Sequence, residues 1–155
     1  MLTEGSRAPA FRLKDQDNMI HDLKAYAGKW LILYFYPKDM TPGCTTEACS
    51  FRDSFSVFKE KNVTVLGVSK DSVSKHAKFA RKYDLPFPLL SDENSTVCED
   101  YGVWQEKSLY GKKYMGIVRT TFIIGPESKI VRIYPKVDVK THIEEIIKDL
   151  ENMHN

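Results

Sequence analysis

The stretch Trp30-Leu31-Ile32-Leu33-Tyr34-Phe35-Tyr36-Pro37-Lys38-Asp39-Met40-Thr41-Pro42-Gly43-Cys44-Thr45-Thr46-Glu47-Ala48-Cys49 runs from an apolar segment into a pair of cysteines five positions apart. Residues 30–36 read as a buried strand. Thr41 then stands where a helix N-cap belongs, and Pro42 at the first helical position, where proline is tolerated. Ala48, Phe51, Phe55 and Phe58 recur at helical spacing and predict a helix over about 42–60. Cys44 therefore falls in the first helical turn. There, unpaired backbone N–H groups and the positive end of the helix dipole favour an anion.

A thiolate is the nucleophile, and a free cysteine is only about 3% ionised at pH 7. Bringing an ordinary thiol to half-ionisation near pH 6 requires roughly 3.4 kcal/mol of preferential thiolate stabilisation. A helix dipole contributes about 0.3–1 kcal/mol, and about 2 at most. A further donor or cation must stand near Cys44; the Thr41 hydroxyl is close in sequence, but a cation has to come from elsewhere in the fold. On one regular helix, Cys49 lies about 7.5 Å further along the axis and is turned by about 140°. The Cα separation is then roughly 8.6 Å, beyond the ~7 Å reach of a disulfide. The pair cannot bridge while the helix is intact, and can bridge once its first turns unwind. Taken alone, Cys49 reads equally well as a small buried residue.

At 155 residues the chain is expected to form one domain, 1–155, able to bury a core without disulfide staples. A net charge of +2, with 28% charged residues and no long block of like charges, leaves no footprint for nucleic acid; Lys112-Lys113 reads as a solvated face. The run 30–36 is too short to span a bilayer. The first residues, Met-Leu-Thr-Glu-Gly-Ser-Arg, lack the apolar core of a signal peptide. Three cysteines do not make a secreted disulfide scaffold, so a reducing, cytoplasmic setting is expected. His21, His76, His142 and His154 do not repeat at ligand spacing, so no metal or other cofactor is expected.

Along the chain, residues 11–14 and 19–22 predict a hairpin. Val63–Ser69 reads as a buried parallel strand, Ser72 caps a helix to about Tyr83, and Leu89-Leu90 forms a brief strand. Asn94 to Tyr101 reads as a helix ending at Gly102, and Val103 to Gly116 as loop. Residues 119–125 and 129–134 predict a second hairpin, followed by a helix over about 138–152. This order gives an α/β domain of thioredoxin-like layout: a central mixed β-sheet flanked by helices, with an N-terminal hairpin extension. The reactive helix start lies at the carboxyl end of a central strand, where open α/β sheets place their sites.

Pro37-x-x-x-Thr41-x-x-Cys44 resembles the peroxidatic-cysteine signature of the peroxiredoxins. The run Lys38 to Asp53 resembles their bacterioferritin comigratory protein, or peroxiredoxin Q, subfamily. The likeness continues through Leu89-Leu90-Ser91-Asp92, Tyr101-Gly102-Val103-Trp104, Tyr110 to Ile117 and Arg119-Thr120-Thr121-Phe122, and so covers essentially the whole chain.

The resemblance implies a thiol peroxidase in which Cys44 attacks the peroxide oxygen. The Thr41 hydroxyl and Arg119 orient the peroxide and stabilise the thiolate, so Arg119 is the missing cation. Pro37 and Pro42 shape the pocket, and the amides of Gly43 and Cys44 bind developing negative charge. The implied cycle passes through a Cys44 sulfenic acid, attack by Cys49 to form an intramolecular disulfide, and reduction by thioredoxin or a similar dithiol. Relatives are often monomeric, and a monomer is expected here.

Two positions depart from the pattern. Cys98 lies outside the motif and reads as a small buried residue. Gly125-Pro126-Glu127-Ser128 stands where relatives often place an Asp and a Gly. The cysteine pair would also serve a thiol–disulfide oxidoreductase, although C-x₄-C is not the C-x-x-C of that class, or a redox sensor signalling to a partner.

Overall fold

The computed structural model describes residues 2–154. Strand β3 (Trp30–Phe35) lies near the middle of a seven-stranded sheet in the order β2 (Ile20–Asp22), β1 (Arg12–Lys14), β5 (Leu89–Ser91), β4 (Val63–Ser69), β3, β8 (Thr120–Ile124), β9 (Ile130–Pro135). The β3–β4 and β4–β5 pairs are parallel and the remaining pairs antiparallel. The N-terminal hairpin joins the sheet where Lys14 pairs with Ser91.

Strand alternation divides the core into two layers. Leu31, Leu33 and Phe35 pack with Leu66, Val68, Phe122 and Tyr101 on one face, where α4 (Val97–Asp100) adds Val97 and Cys98. Ile32, Tyr34 and Tyr36 point the other way. There they meet Cys44, Ala48 and Phe51 of α1 (Pro42–Asp53), Phe58 of α2 (Phe55–Glu60), Phe79 of α3 (Val73–Tyr83), and Ile146 and Leu150 of α5 (His142–His154). The expected mixed sheet with helices on both faces is what forms.

Several local expectations need correction. The helix expected over 42–60 is interrupted at Ser54, which separates α1 from α2. The Thr46 and Ser50 hydroxyls donate to the carbonyls of Pro42 and Thr46, four residues back, a pattern that bends helices. Thr41 occupies the N-cap position, but its side chain makes no capping bond; Oγ1 donates to the Lys38 carbonyl at 2.8 Å. The helix expected from Asn94 contracts to α4 because the Asp92 carboxylate captures the Val97 and Cys98 amides at 3.1 and 2.7 Å. The last helix starts at His142, after a turn closed on Asp138.

The largest departure is 103–116. Expected as loop, it contains the two-stranded hairpin β6 (Trp104–Leu109) and β7 (Lys112–Ile117), separate from the main sheet. Most of its side chains are exposed, so neither face carries the apolar alternation that betrays a strand. Its turn places Tyr110 at φ 52° and Gly111 at φ 78°, a geometry that normally announces itself as Asn-Gly. The β8–β9 turn forms without the usual Gly, with Ser128 taking the left-handed position at φ 59°.

Phe51 is fully buried against Tyr34 (ring centroids 4.5 Å), Phe58, Phe87 and His142. Phe51→Ala is expected to cost about 3–5 kcal/mol of stability, measurable in urea unfolding; a loss below about 1 kcal/mol would show that α1 does not need this contact.

Candidate active site

β3 delivers the chain to a short loop, Tyr36 to Thr41, and α1 begins at Pro42. Cys44 is thus in the first turn of α1, buried and facing the sheet. Because α1 starts at Pro42, the Gly43 and Cys44 amides have no partner within the helix. The antiparallel register of β3 and β8 pairs Phe35 with Thr120, which brings Arg119 to the end of β3, beside α1.

Arg119 Nη2 donates to Cys44 Sγ at 3.4 Å, while Nη1 donates to Glu47 Oε1 at 2.7 Å. Gly43 leaves room for this approach: a Cβ there would stand 3.1 Å from Nη2. Glu47, three residues after Cys44 on the same helix face, is 1% exposed. The guanidinium therefore bridges a buried carboxyl and a buried sulfur. Burial pulls the Arg119 pKa down, but Glu47 and Cys44 outweigh it and leave it raised.

Cys49 lies on the same helix, half-buried; both thiols are free. The unbroken helix between them keeps their Cα atoms roughly 8.6 Å apart. Pro42 is exposed and Pro37 half-buried at the loop entrance. The Thr41 hydroxyl is spent on the Lys38 carbonyl. Cys98 is remote in role: fully buried on the opposite face of the sheet, its thiol is pushed well above the usual range by burial and by Asp92.

The AhpC/TSA family model matches residues 5–133. The chain belongs to the AhpC/TSA family. It is 48% identical over 149 residues to Peroxiredoxin Bcp of Bacillus subtilis, covering 96% of this chain and 95% of the relative. Its fold superposes on a mutant of the Xylella fastidiosa PrxQ with a TM-score of 0.94 at 37% identity, covering 100% of this chain and 99% of the other. A second neighbour is the Xanthomonas campestris bacterioferritin comigratory protein, solved in a study of its alkyl peroxide reduction (TM-score 0.89, 39% identity, 94% and 92% covered). The chain is therefore a peroxiredoxin of the Bcp/PrxQ group with a thioredoxin-like fold, a thiol-dependent peroxidase that consumes a peroxide and a thiol reductant. No helix among the described residues is long and apolar enough to cross a membrane.

Two residues of this peroxiredoxin's site were missed in the sequence. Glu47 looks like an ordinary acid of a surface helix, and only its spacing from Cys44 hinted at a shared face. Lys107 belongs to the hairpin read as loop; burial and the Arg119 charge lower its pKa, and Cys44 raises it. His142 adds a buried imidazole, pushed down to about 4 by burial and by Arg119, with Nε2 2.8 Å from Thr121 Oγ1. Among the described residues, Asp39, Asp71 and His76 bring three metal-competent atoms within 4.8 Å of one another. His76 Nδ1 already pairs with Asp39 Oδ2, and Asp71 Oδ2 accepts from the Asp39 backbone N–H and the Ser69 hydroxyl.

Burial pushes the Glu47 carboxyl up from 4.5 to about 7, with Arg119 holding it back. The folded chain then binds this proton more tightly than the unfolded one. Glu47 therefore removes stability as the pH rises from about 4.5 to 7, by about 3 kcal/mol in all. His142, lowered in the fold, acts with the opposite sign and loses stability as the pH falls through 6.5 toward 4. Urea melts of wild type and Glu47→Gln at several pH values isolate the first effect. The wild type's stability relative to the variant is expected to decline by about 3 kcal/mol between pH 4.5 and 7.5; a difference that does not change with pH would mean Glu47 stays ionised throughout.

Proposed function

We propose that this peroxidase reduces hydrogen peroxide and organic hydroperoxides through Cys44 and Cys49 in an intramolecular two-cysteine cycle. The observation that carries the reading is the Arg119 contact to the Cys44 sulfur at 3.4 Å, at a helix start with free amides. The guanidinium adds to the helix dipole a cation that favours an anionic sulfur.

Cys44 thiolate attacks one peroxide oxygen. The S–O bond forms as the O–O bond breaks, and alkoxide or hydroxide leaves and takes up a proton. The Gly43 and Cys44 amides and Arg119 receive the developing negative charge. Pro37 and Pro42 border the approach, and Thr41 orients the peroxide once its hydroxyl leaves the Lys38 carbonyl. The Cys49 thiolate then attacks the sulfenic sulfur: the S–S bond forms as the S–O bond breaks, and the leaving hydroxide takes up a proton as water. This requires the first turns of α1 to unwind, because the intact helix holds the sulfurs' residues beyond bridging range. Thioredoxin or another dithiol returns two electrons and two protons. The reading treats residues 1–155 as one domain acting as a cytoplasmic monomer. Organic hydroperoxides are included because the Xanthomonas campestris relative reduces alkyl peroxides.

The test is a single oxidation by one equivalent of hydrogen peroxide, with free thiols alkylated before digestion and mass spectrometry. A Cys44–Cys49 linkage within seconds, with Cys98 alkylated, is the expected result; linkage to Cys98 would move the resolving role. Cys44→Ser is expected to lose turnover entirely. Cys49→Ser should complete one oxidation and then stall with thioredoxin as reductant; normal cycling by that variant would remove Cys49 from the mechanism.

A further inference from the structure

A second buried polar cluster lies immediately upstream of the reactive turn. The Asp39 carboxylate accepts from the Tyr36 hydroxyl at Oδ1 (2.6 Å) and faces His76 Nδ1 at Oδ2 (2.6 Å), and its backbone N–H donates to Asp71 Oδ2 (2.8 Å). The Ser69 hydroxyl donates to the same Asp71 oxygen at 2.7 Å, and the Ser91 hydroxyl to the Asp71 carbonyl at 2.6 Å. His76 Nε2 faces the Leu90 carbonyl at 3.0 Å. The two ring nitrogens thus face the Asp39 carboxylate and the Leu90 carbonyl, with the Tyr36 hydroxyl 3.4 Å from Nδ1. His76 is 0% exposed and Asp39 5%. The end of β4, α3 and β5 are thereby fastened to one residue of the loop that leads into α1.

The next residue, Met40, sits at φ 68°, left-handed backbone that a side-chain-bearing residue avoids. Its own side chain is 43% exposed and does not hold it there. Such a conformation persists only where its flanks over-determine it. Upstream, the flank is the Asp39 cluster; downstream, it is the Thr41 hydroxyl on the Lys38 carbonyl and the entry to α1. None of these contacts touches the sulfur, yet together they fix where the turn carrying Cys44 begins.

We propose that His76, acting through Asp39, is a positioning residue that sets the balance between two states of this turn: closed, with Cys44 against Arg119, and opened, with Cys49 able to reach Cys44. The inference rests on the resolving role proposed for Cys49. With Asp39 clamped, the closed turn forces Met40 into left-handed backbone, and opening relieves it. The clamp and the strain oppose each other, so the pair is poised for a local opening rather than locked. Loosening the clamp shifts the balance toward the opened turn, which slows peroxide attack and speeds disulfide formation. A cluster serving general stability alone would not move these two steps in opposite directions.

The test compares wild type with His76→Gln and Tyr36→Phe, each removing a bond into the Asp39 carboxylate. Amide hydrogen exchange of the reduced protein over residues 45–49 reports opening directly, since the Thr45 amide is held by the Thr41 carbonyl. His76→Gln is expected to exchange about tenfold faster there, and Tyr36→Phe about threefold, with Trp30–Phe35 and Val63–Ser69 unchanged. Single-turnover quenching should show Cys44 oxidised more slowly and the Cys44–Cys49 disulfide formed faster. If His76→Gln does not fold, Tyr36→Phe alone decides. Unchanged exchange at 45–49, an equal rise in the strands, or two rates falling by the same factor would overturn the proposal. A wild type that forms no Cys44–Cys49 disulfide would remove the resolving assignment, while exchange and the peroxide rate would still decide the clamp.

Discussion

The contact on which the site depends is the guanidinium of Arg119, held between the Glu47 carboxyl and the Cys44 sulfur. Each of the three groups would be costly to bury alone. Together they form a line in which the guanidinium lies between the buried carboxyl and the buried sulfur. Glu47 aims the planar guanidinium through a charge-assisted bond and leaves Nη2 directed at the sulfur. Gly43 stands at the point of closest approach, where a Cβ would lie 3.1 Å from Nη2 and the guanidinium would have to give by a few tenths of an ångström.

The scaffold exists to bring this line together. Arg119 stands 75 residues from Cys44 in sequence and reaches it because β8 pairs antiparallel with β3, placing Thr120 beside Phe35. The alternation of β3 then sends Tyr34 and Tyr36 to the layer that holds α1. Tyr34 stacks on Phe51 and Tyr36 hydrogen-bonds Asp39. The side chains that seat α1 and those that fasten the preceding loop thus come from alternate positions of a single strand. A shift of that strand by one residue would exchange the two layers and dissolve the site.

The loop is held by buried hydrogen bonds on one side and carries left-handed Met40 on the other, whereas α1 begins without a side-chain cap. A capped, unstrained helix start would resist unwinding. Without a Thr41 cap, this helix end is held less firmly than a capped one.

Much of this was legible in the residues. Continuous apolar runs announced β3 and β4 because both faces of each are buried, the Ser72 cap announced α3, and the turn, proline and helix order placed Cys44 at a helix start. The hairpin β6–β7 was illegible because its faces are both solvated, and the break at Ser54 because no proline or glycine marks it. Cys44, the need for a cation beside it, and the mixed α/β layout follow from local pattern, since helix starts and strand periods are properties of neighbouring residues. That Arg119 meets the sulfur by direct hydrogen bond, that Glu47 is buried rather than solvated, and that Asp39 is tied to His76 depend on strand register and long-range packing. Those contacts join residues tens of positions apart, which no local periodicity encodes.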